Sequence, residues 1–168
     1  HIRHPHYGSQ RLKDGLVDHF RDSTGIRPNV NPKNPEVSFW AHLEADQLKL
    51  SLDFSGVSLH QRGYRQHQGS TSLKENLAAA LLWQCGWPMK AKHGDTLLDP
   101  MCGSGTILAE GLLMAADWAP GLIRKKFGFQ AWRGFELETW KRLRQEAIER
   151  RADGLNGLPP IIGGDNSE

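Results

Sequence analysis

The run Thr96-Leu97-Leu98-Asp99-Pro100-Met101-Cys102-Gly103-Ser104-Gly105-Thr106 limits the possible folds more than any other stretch of the chain. It begins as a short apolar strand, ends that strand on a carboxylate and turns tightly through two glycines. An amphipathic helix follows, with Ile107, Leu108, Leu112 and Ala115 at helical spacing. Strand, Gly-rich turn and helix N-terminus, in that order, build a small-ligand site in open α/β sheets. The ligand lies beyond the carboxyl end of the strand, against backbone N–H groups that have no intrahelical partner. Gly103 and Gly105 remove the Cβ atoms that would hold a ligand off the backbone. A dinucleotide fingerprint needs a third glycine where this chain has Leu108, and a phosphate P-loop needs a lysine that is missing here.

The octapeptide Asp99-Pro100-Met101-Cys102-Gly103-Ser104-Gly105-Thr106 resembles motif I of S-adenosylmethionine-dependent methyltransferases of the nucleic-acid amino-methylating type. The plainer alternative is an ordinary β-to-α turn, with glycines for geometry and Asp99 as a solvated strand end. The intact strand–turn–helix context favours the ligand.

The 168 residues fit one domain or two pieces, and the net charge of +2 does not by itself argue for nucleic acid. Charge is also spread evenly: residues 1–72 carry 9 Lys/Arg against 7 Asp/Glu, and the remainder 12 against 12. Cys85 and Cys102 are too few for a disulfide framework, which fits a reducing compartment. The longest apolar run, Leu77 to Trp83, is too short to span a bilayer, so a cytoplasmic protein is expected. His1, His4 and His6 invite a metal reading, but a Pro-containing terminus gives them no fixed ligand geometry and no metal site is expected.

Along the chain, Gln10–Arg21 reads as a helix with Ser9 as N-cap and Leu12, Leu16, Val17 and Phe20 on one face. After a Gly-, Pro- and Asn-rich connection, two alternating runs predict an antiparallel hairpin turning at Ala45-Asp46. Its expected buried face carries Val37, Phe39, Ala41, Leu43, Leu48, Leu50, Leu52 and Phe54. Trp40 lies on the polar face. The stretch from Gln61 to Gln68 is basic, with one aromatic. Arg62, Tyr64 and Arg65 either hold phosphate and stack a base, or form a linker whose arginines pair with local carboxylates; the two readings stand level. Ser72-Leu73-Lys74-Glu75 reads as a capping box opening a helix from Leu73 to Cys85, closed by Gly86-Trp87-Pro88. Little regular pattern is expected from Trp118 to Phe135. A helix from Glu138 to Arg151 follows, and Ile161-Ile162-Gly163-Gly164-Asp165 reads as a second short strand ending in an acid. Such an acid faces the ribose of a nucleoside ligand, whose vicinal hydroxyls are good donors to a carboxylate.

The order of these features over the whole chain is similar to one family, the THUMP-domain rRNA guanine-N2 methyltransferases, in its branch acting on 23S rRNA. Residues from Gln10 to Pro28 and the hairpin resemble the C-terminal part of a THUMP domain, an RNA-binding module. Leu52–Gly56 and Leu59–Arg65 look like its exit, Leu73–Ala80 is similar to motif X, Asp99–Thr106 to motif I and Gly164-Asp165 to motif II. The resemblance implies an α/β chain: the C-terminal part of a THUMP domain (1–57), a linker (58–72) and the start of a Rossmann-like class I methyltransferase domain (73–168). It implies S-adenosylmethionine held by Asp99, Pro100, Met101, Cys102, Gly103, Ser104, Gly105, Thr106 and Asp165, and 23S rRNA as partner; the basic stretch itself offers Arg62, Tyr64 and Arg65 as the residues at the RNA. The family's Asn-Pro-Pro-Tyr-like catalytic loop does not occur in the chain, so no catalytic residue is assigned. The chain is expected to be a fragment that alone transfers no methyl group. Rival expectations are a tRNA guanine-N2 or adenine-N6 enzyme, an RNA-binding fragment without cofactor affinity, and an oxidoreductase weakened by Leu108.

Overall fold

The computed structural model describes residues 4–65 and 73–166, arranged in two compact units. Unit 1 comprises His1–Gly56 together with Gly128–Trp132; unit 2 comprises Val57–Phe127 and Arg133–Glu168.

Unit 1 opens with helix α1, Pro5–Thr24. The helix starts earlier than Ser9, because Pro5 occupies a first-turn position where no backbone N–H is needed. Ser9 lies inside the helix, and its hydroxyl donates to the Pro5 carbonyl at 3.0 Å. Gly25 ends it in the left-handed conformation, its N–H on the Arg21 carbonyl at 2.8 Å. Of the expected apolar face Val17 is buried, Leu12 and Leu16 are half-buried, and Phe20 is exposed.

Strands β1 (Ser38–Glu44) and β2 (Gln47–Asp53) form the expected hairpin. Phe39 pairs with Leu52, Ala41 with Leu50 and Leu43 with Leu48, which puts the apolar residues on one face. That face is not buried: Phe39, Leu43, Leu48 and Leu50 are all exposed. The alternation set the register without setting burial. On the other face the Trp40 indole N–H donates to Asp53 Oδ2 at 3.4 Å, and Asp53 Oδ1 accepts from the Ser55 N–H at 2.8 Å. Gly128–Ala131 is a short 3-10 turn in the stretch expected to be irregular, and it joins this unit. The Phe129 N–H donates to the Phe54 carbonyl at 2.9 Å, and the Phe54 and Trp132 rings meet edge to face with centroids 5.4 Å apart.

Unit 2 contains α2 (Glu75–Gln84), α3 (Trp87–Lys92), β3 (Leu97–Asp99), α4 (Thr106–Ala115), α5 (Leu137–Leu155) and β4 (Ile161–Gly163). β3 and β4 run parallel, in register Leu97 to Ile161, Leu98 to Ile162 and Asp99 to Gly163. This is the pairing expected of a strand–turn–helix unit whose second strand returns beside the first. The Gly86-Trp87-Pro88 signal ends α2, but it also opens α3, since Pro88 fits the first turn of a new helix. Trp87 is the centre of the core, 3% exposed, with its indole N–H on the Gly111 carbonyl at 2.9 Å. Leu82 and Ala91 complete the buried cluster, and Leu97, Ile107, Met114, Ala115 and Ile161 pack against it.

α2 starts at Glu75 rather than at the expected Leu73. Ser72 lies outside the described residues, Lys74 occupies the N-cap position, and the Glu75 carboxylate is turned to Arg65. α5 is longer than expected and contains Gly154 rather than stopping at it. A Cβ on Gly154 would lie 2.1 Å from the Ala116 carbonyl oxygen, so glycine lets α5 cross the end of α4 at backbone contact. Arg150 secures that crossing with a two-point pair to Asp117, both bonds at 2.8 Å.

Candidate cofactor site

The site is built where β3 and β4 end side by side. The Gly164 N–H donates to the Asp99 carbonyl at 2.9 Å, and the Cys102 N–H donates to the Gly164 carbonyl at 2.8 Å. The Asp165 side chain then reaches across to the turn, where Oδ2 accepts from the Gly103 N–H at 2.7 Å. Three hydrogen bonds thus tie the end of the second strand to the glycine turn of the first, although Gly103 and Asp165 lie 62 positions apart. Gly163 makes the approach possible, because a Cβ there would come within 2.3 Å of Leu108 Cδ1 and 3.1 Å of Cys102 Sγ.

Asp99 holds the turn locally: its Oδ1 accepts from the Met101 N–H at 3.2 Å. Gly103 (φ 51) and Gly105 (φ 70) are both in the left-handed region that L side chains avoid. Among the described residues, chain neighbours aside, a Cβ on either would meet nothing within 4 Å. Their glycines therefore serve backbone conformation and keep the surface in front of the turn clear. Gly105 is the N-cap of α4 and offers no side-chain cap, which leaves first-turn N–H groups without intrahelical partners. Glycines at the turn, helix N-terminal N–H groups without intrahelical partners and a strand-end carboxylate fit a nucleoside cofactor. Pro100 and Met101 are exposed, Cys102 is half-buried, and Ser104 Oγ lies 3.2 Å from Thr106 Oγ1.

Arg62, Tyr64 and Arg65 are brought together, but not as an open basic face. Arg62 Nε lies 3.4 Å from Glu110 Oε1, and the Tyr64 hydroxyl donates to the same oxygen at 3.0 Å. Arg65 pairs with Glu75 at 3.6 Å and donates to the Leu73 carbonyl at 2.8 Å and to Thr106 Oγ1 at 3.0 Å. Of the two readings of this segment, pairing with local carboxylates describes the geometry. Burial, and then the charge of Glu110, push the Tyr64 phenol well above its usual range, so it stays a donor. Sequence reasoning missed Glu110, which is 1% exposed in the middle of α4. Part of the signal was present: Thr106, Glu110 and Leu113 share one helical face, and a carboxylate on that face is a partner for arginines read as pairing with carboxylates, though these lie more than 40 positions earlier in the chain.

An apolar cavity of about 610 Å³, lined among others by Leu81, Trp87, Leu97 and Ile107, lies beside β3 rather than at its carboxyl end. Among the described residues no group of three His, Cys, Asp or Glu side chains could hold a metal ion, and no helix is long and apolar enough to cross a membrane.

Parallel strands closing on a glycine turn, a helix N-terminus and a strand-end acid have the arrangement at which proteins of the open α/β class take small ligands. Residues 62–168 match the family model described as RMKL-like, methyltransferase domain, and residues 1–53 match the THUMP domain. The chain belongs to this methyltransferase family. It is 52% identical over 164 residues to the ribosomal RNA large subunit methyltransferase K/L of Methylococcus capsulatus, covering 98% of this chain and 22% of that protein. It is 51% identical over 160 residues to the protein of the same name from Pseudomonas aeruginosa, covering 95% and 22%. The chain thus spans about a fifth of the length of these relatives. Among solved structures, it is similar to a predicted N6-adenine-specific DNA methylase from Listeria monocytogenes, with TM-score 0.72, 31% identity, and coverage of 95% of this chain and 39% of that one. A possible methylase from Clostridium difficile superposes with TM-score 0.71 at 26% identity, covering 93% and 46%.

Proposed function

We propose that this chain carries the cofactor-binding part of an S-adenosylmethionine-dependent methyltransferase acting on the exocyclic N2 of a guanine in 23S rRNA. The observation that carries the cofactor assignment is the bond from the Gly103 N–H to Asp165, which sets the strand-end acid beside the clear glycine turn. The substrate assignment is supported by relatives near 50% identity whose names specify large-subunit ribosomal RNA. The N2 position rests on the resemblance to the THUMP-domain guanine-N2 enzymes. An rRNA substrate places the protein in the cytoplasm, and residues 1–57 would contribute to RNA delivery, residues 58–72 linking them to the cofactor part at 73–168.

When bound, the cofactor supplies a methyl group already activated by its sulfonium, so the protein's share is alignment and charge placement. Asp165 would accept from the ribose hydroxyls. Gly103 and Gly105 keep side chains out of the space in front of the turn, and Pro100, Met101, Cys102, Ser104 and Thr106 form its wall. Asp99 fixes the turn through Met101. A guanine held in RNA structure has to be extruded to reach such a site.

The test uses the complete protein that carries this chain, labelled S-adenosylmethionine and protein-free 23S rRNA, with the product digested to nucleosides. Label in N2-methylguanosine is expected; label in N6-methyladenosine, or transfer to DNA alone, overturns the substrate assignment. Calorimetric titration tests the cofactor site separately. Asp165→Ala should weaken binding by about tenfold to a hundredfold, the worth of a charge-assisted hydrogen bond. Gly103→Val should cost more, because a β-branched residue is strained at positive φ and fills the cleared space. A folded Gly103→Val protein that binds like the parent overturns the assignment.

A further inference from the structure

We propose that Arg65 is a positioning residue for the cofactor loop and acts through Thr106, 41 positions further along the chain. This rests on the cofactor reading of the glycine turn and extends it to a segment outside the strand–turn–helix unit. Thr106 is the first residue of α4, directly after Gly105, and is 4% exposed. A threonine hydroxyl at that position is free to rotate unless something holds it. Arg65 holds it: Nη2 donates to Thr106 Oγ1 at 3.0 Å, while the same guanidinium reaches the Leu73 carbonyl and the Glu75 carboxylate.

An arginine can only donate, so Thr106 Oγ1 accepts this bond; Thr106 Oγ1 also lies 3.2 Å from Ser104 Oγ, a contact in which either hydroxyl can donate. Glu75, Arg65, Thr106 and Ser104 then form one chain of contacts, running from the start of α2 into the turn. The planar guanidinium fixes three partners at once, which an ammonium cannot reproduce. Arg62 and Tyr64 anchor the same segment one helical turn further along α4, on Glu110. Residues 62–65 therefore dock along the Thr106–Glu110 face, and the two buried carboxylates Glu75 and Glu110 are what they dock on. A cofactor loop displaced by an ångström loses alignment, so a brace on its last hydroxyl bears on cofactor affinity and on the chemical step.

The experiment compares Thr106→Val, Arg65→Lys, Arg65→Ala and the double variant Arg65→Ala/Thr106→Val in the complete protein. Calorimetry gives the dissociation constant of S-adenosylmethionine, steady-state assays give KM and kcat, and scanning calorimetry gives Tm. Thr106→Val, nearly isosteric, should weaken the cofactor by roughly tenfold with little change in Tm. Arg65→Lys should recover only part of the loss seen in Arg65→Ala, and the double variant should be no worse than Arg65→Ala alone. If Arg65→Ala does not fold, Thr106→Val and Arg65→Lys decide by themselves. Folded variants with parental cofactor affinity, or strictly additive losses, overturn the proposal while Asp165→Ala still weakens binding. A reduced salt dependence of RNA binding in folded Arg65→Ala, restored in Arg65→Lys, also overturns it, in favour of a phosphate contact. If Asp165→Ala and Gly103→Val leave cofactor binding intact, it is the underlying cofactor reading that has failed.

Discussion

In unit 1, the β1–β2 hairpin shows most of its apolar face to solvent, and Trp40 is 71% exposed. In unit 2, Trp87 is 3% exposed, and glycines at 111, 154 and 163 bring helices and strands so close that a single added Cβ would overlap a neighbour. Both units contain a strand pair of regular register. What separates them is whether a second layer covers the pair. α4 packs on β3 and β4 and leaves Leu97 and Ile161 half-buried against the core; among the described residues, nothing comparable covers the hairpin. Pairing fixes the direction of side chains, whereas burial depends on a partner element.

The contrast can be broken or sharpened by mutation. The largest effect expected is at the core tryptophan: Trp87→Ala should cost unit 2 about 3–5 kcal/mol, since it opens a cavity and leaves the Gly111 carbonyl without its donor. Urea denaturation followed by circular dichroism measures it, and a loss below about 1 kcal/mol would mean that the core is not closed around Trp87. Gly154→Ala comes next, at roughly 2–3 kcal/mol, because its Cβ meets the Ala116 backbone rather than a yielding side-chain tip. The same denaturation reads it, and a neutral result would show that α5 can move away from α4 at no cost.

Effects in the hairpin should be smaller. The Asp53 carboxyl is held below the usual carboxylate range, first by the Ser55 N–H and also by the Trp40 indole N–H. A depressed folded value means that its contribution is present above the unfolded value, near pH 3.9, and is lost as pH falls through the folded one. Trp40→Phe should therefore raise the Asp53 pKa measured by carboxyl NMR, moving the loss to higher pH, while changing stability by under about 1 kcal/mol. An unchanged pKa would show that the indole contact does not persist in solution. The smallest effect is at the hairpin turn, where Ala45 sits at φ 50. Ala45→Gly should raise amide protection in β1 and β2 by roughly twofold, about 0.5 kcal/mol, since glycine avoids the left-handed penalty but loses more entropy on folding. Lower protection would mean that chain entropy outweighs the strain.

Much of the site could be read directly from residues 96–106, because a strand–turn–helix unit is local: its glycines, its acid and its apolar spacing lie within one short run. Asp165 was legible for a similar reason, as the end of a short apolar strand. The helix starts were less so. Ser9 is a good capping residue, but Pro5 allowed an earlier start, and Glu75, expected to reach back in a capping box, is turned to Arg65 instead. Capping preferences are worth about 1 kcal/mol and yield to such competitors.

Local order was therefore determined by the sequence itself: the hairpin register, the glycine turn and the acids that follow both short strands come from patterns within a few residues of each other, whereas the parallel pairing of β3 with β4 joins segments about 60 positions apart. Only the tertiary structure decided which carboxylates would be buried, where Gly154 would touch backbone, and that Arg62, Tyr64 and Arg65 would turn inward. The physical reason is range. Backbone conformation and side-chain alternation are set by neighbours in the chain, whereas a buried charge is tolerable only where a partner, here 48 positions away for Arg62 and Glu110, arrives to meet it.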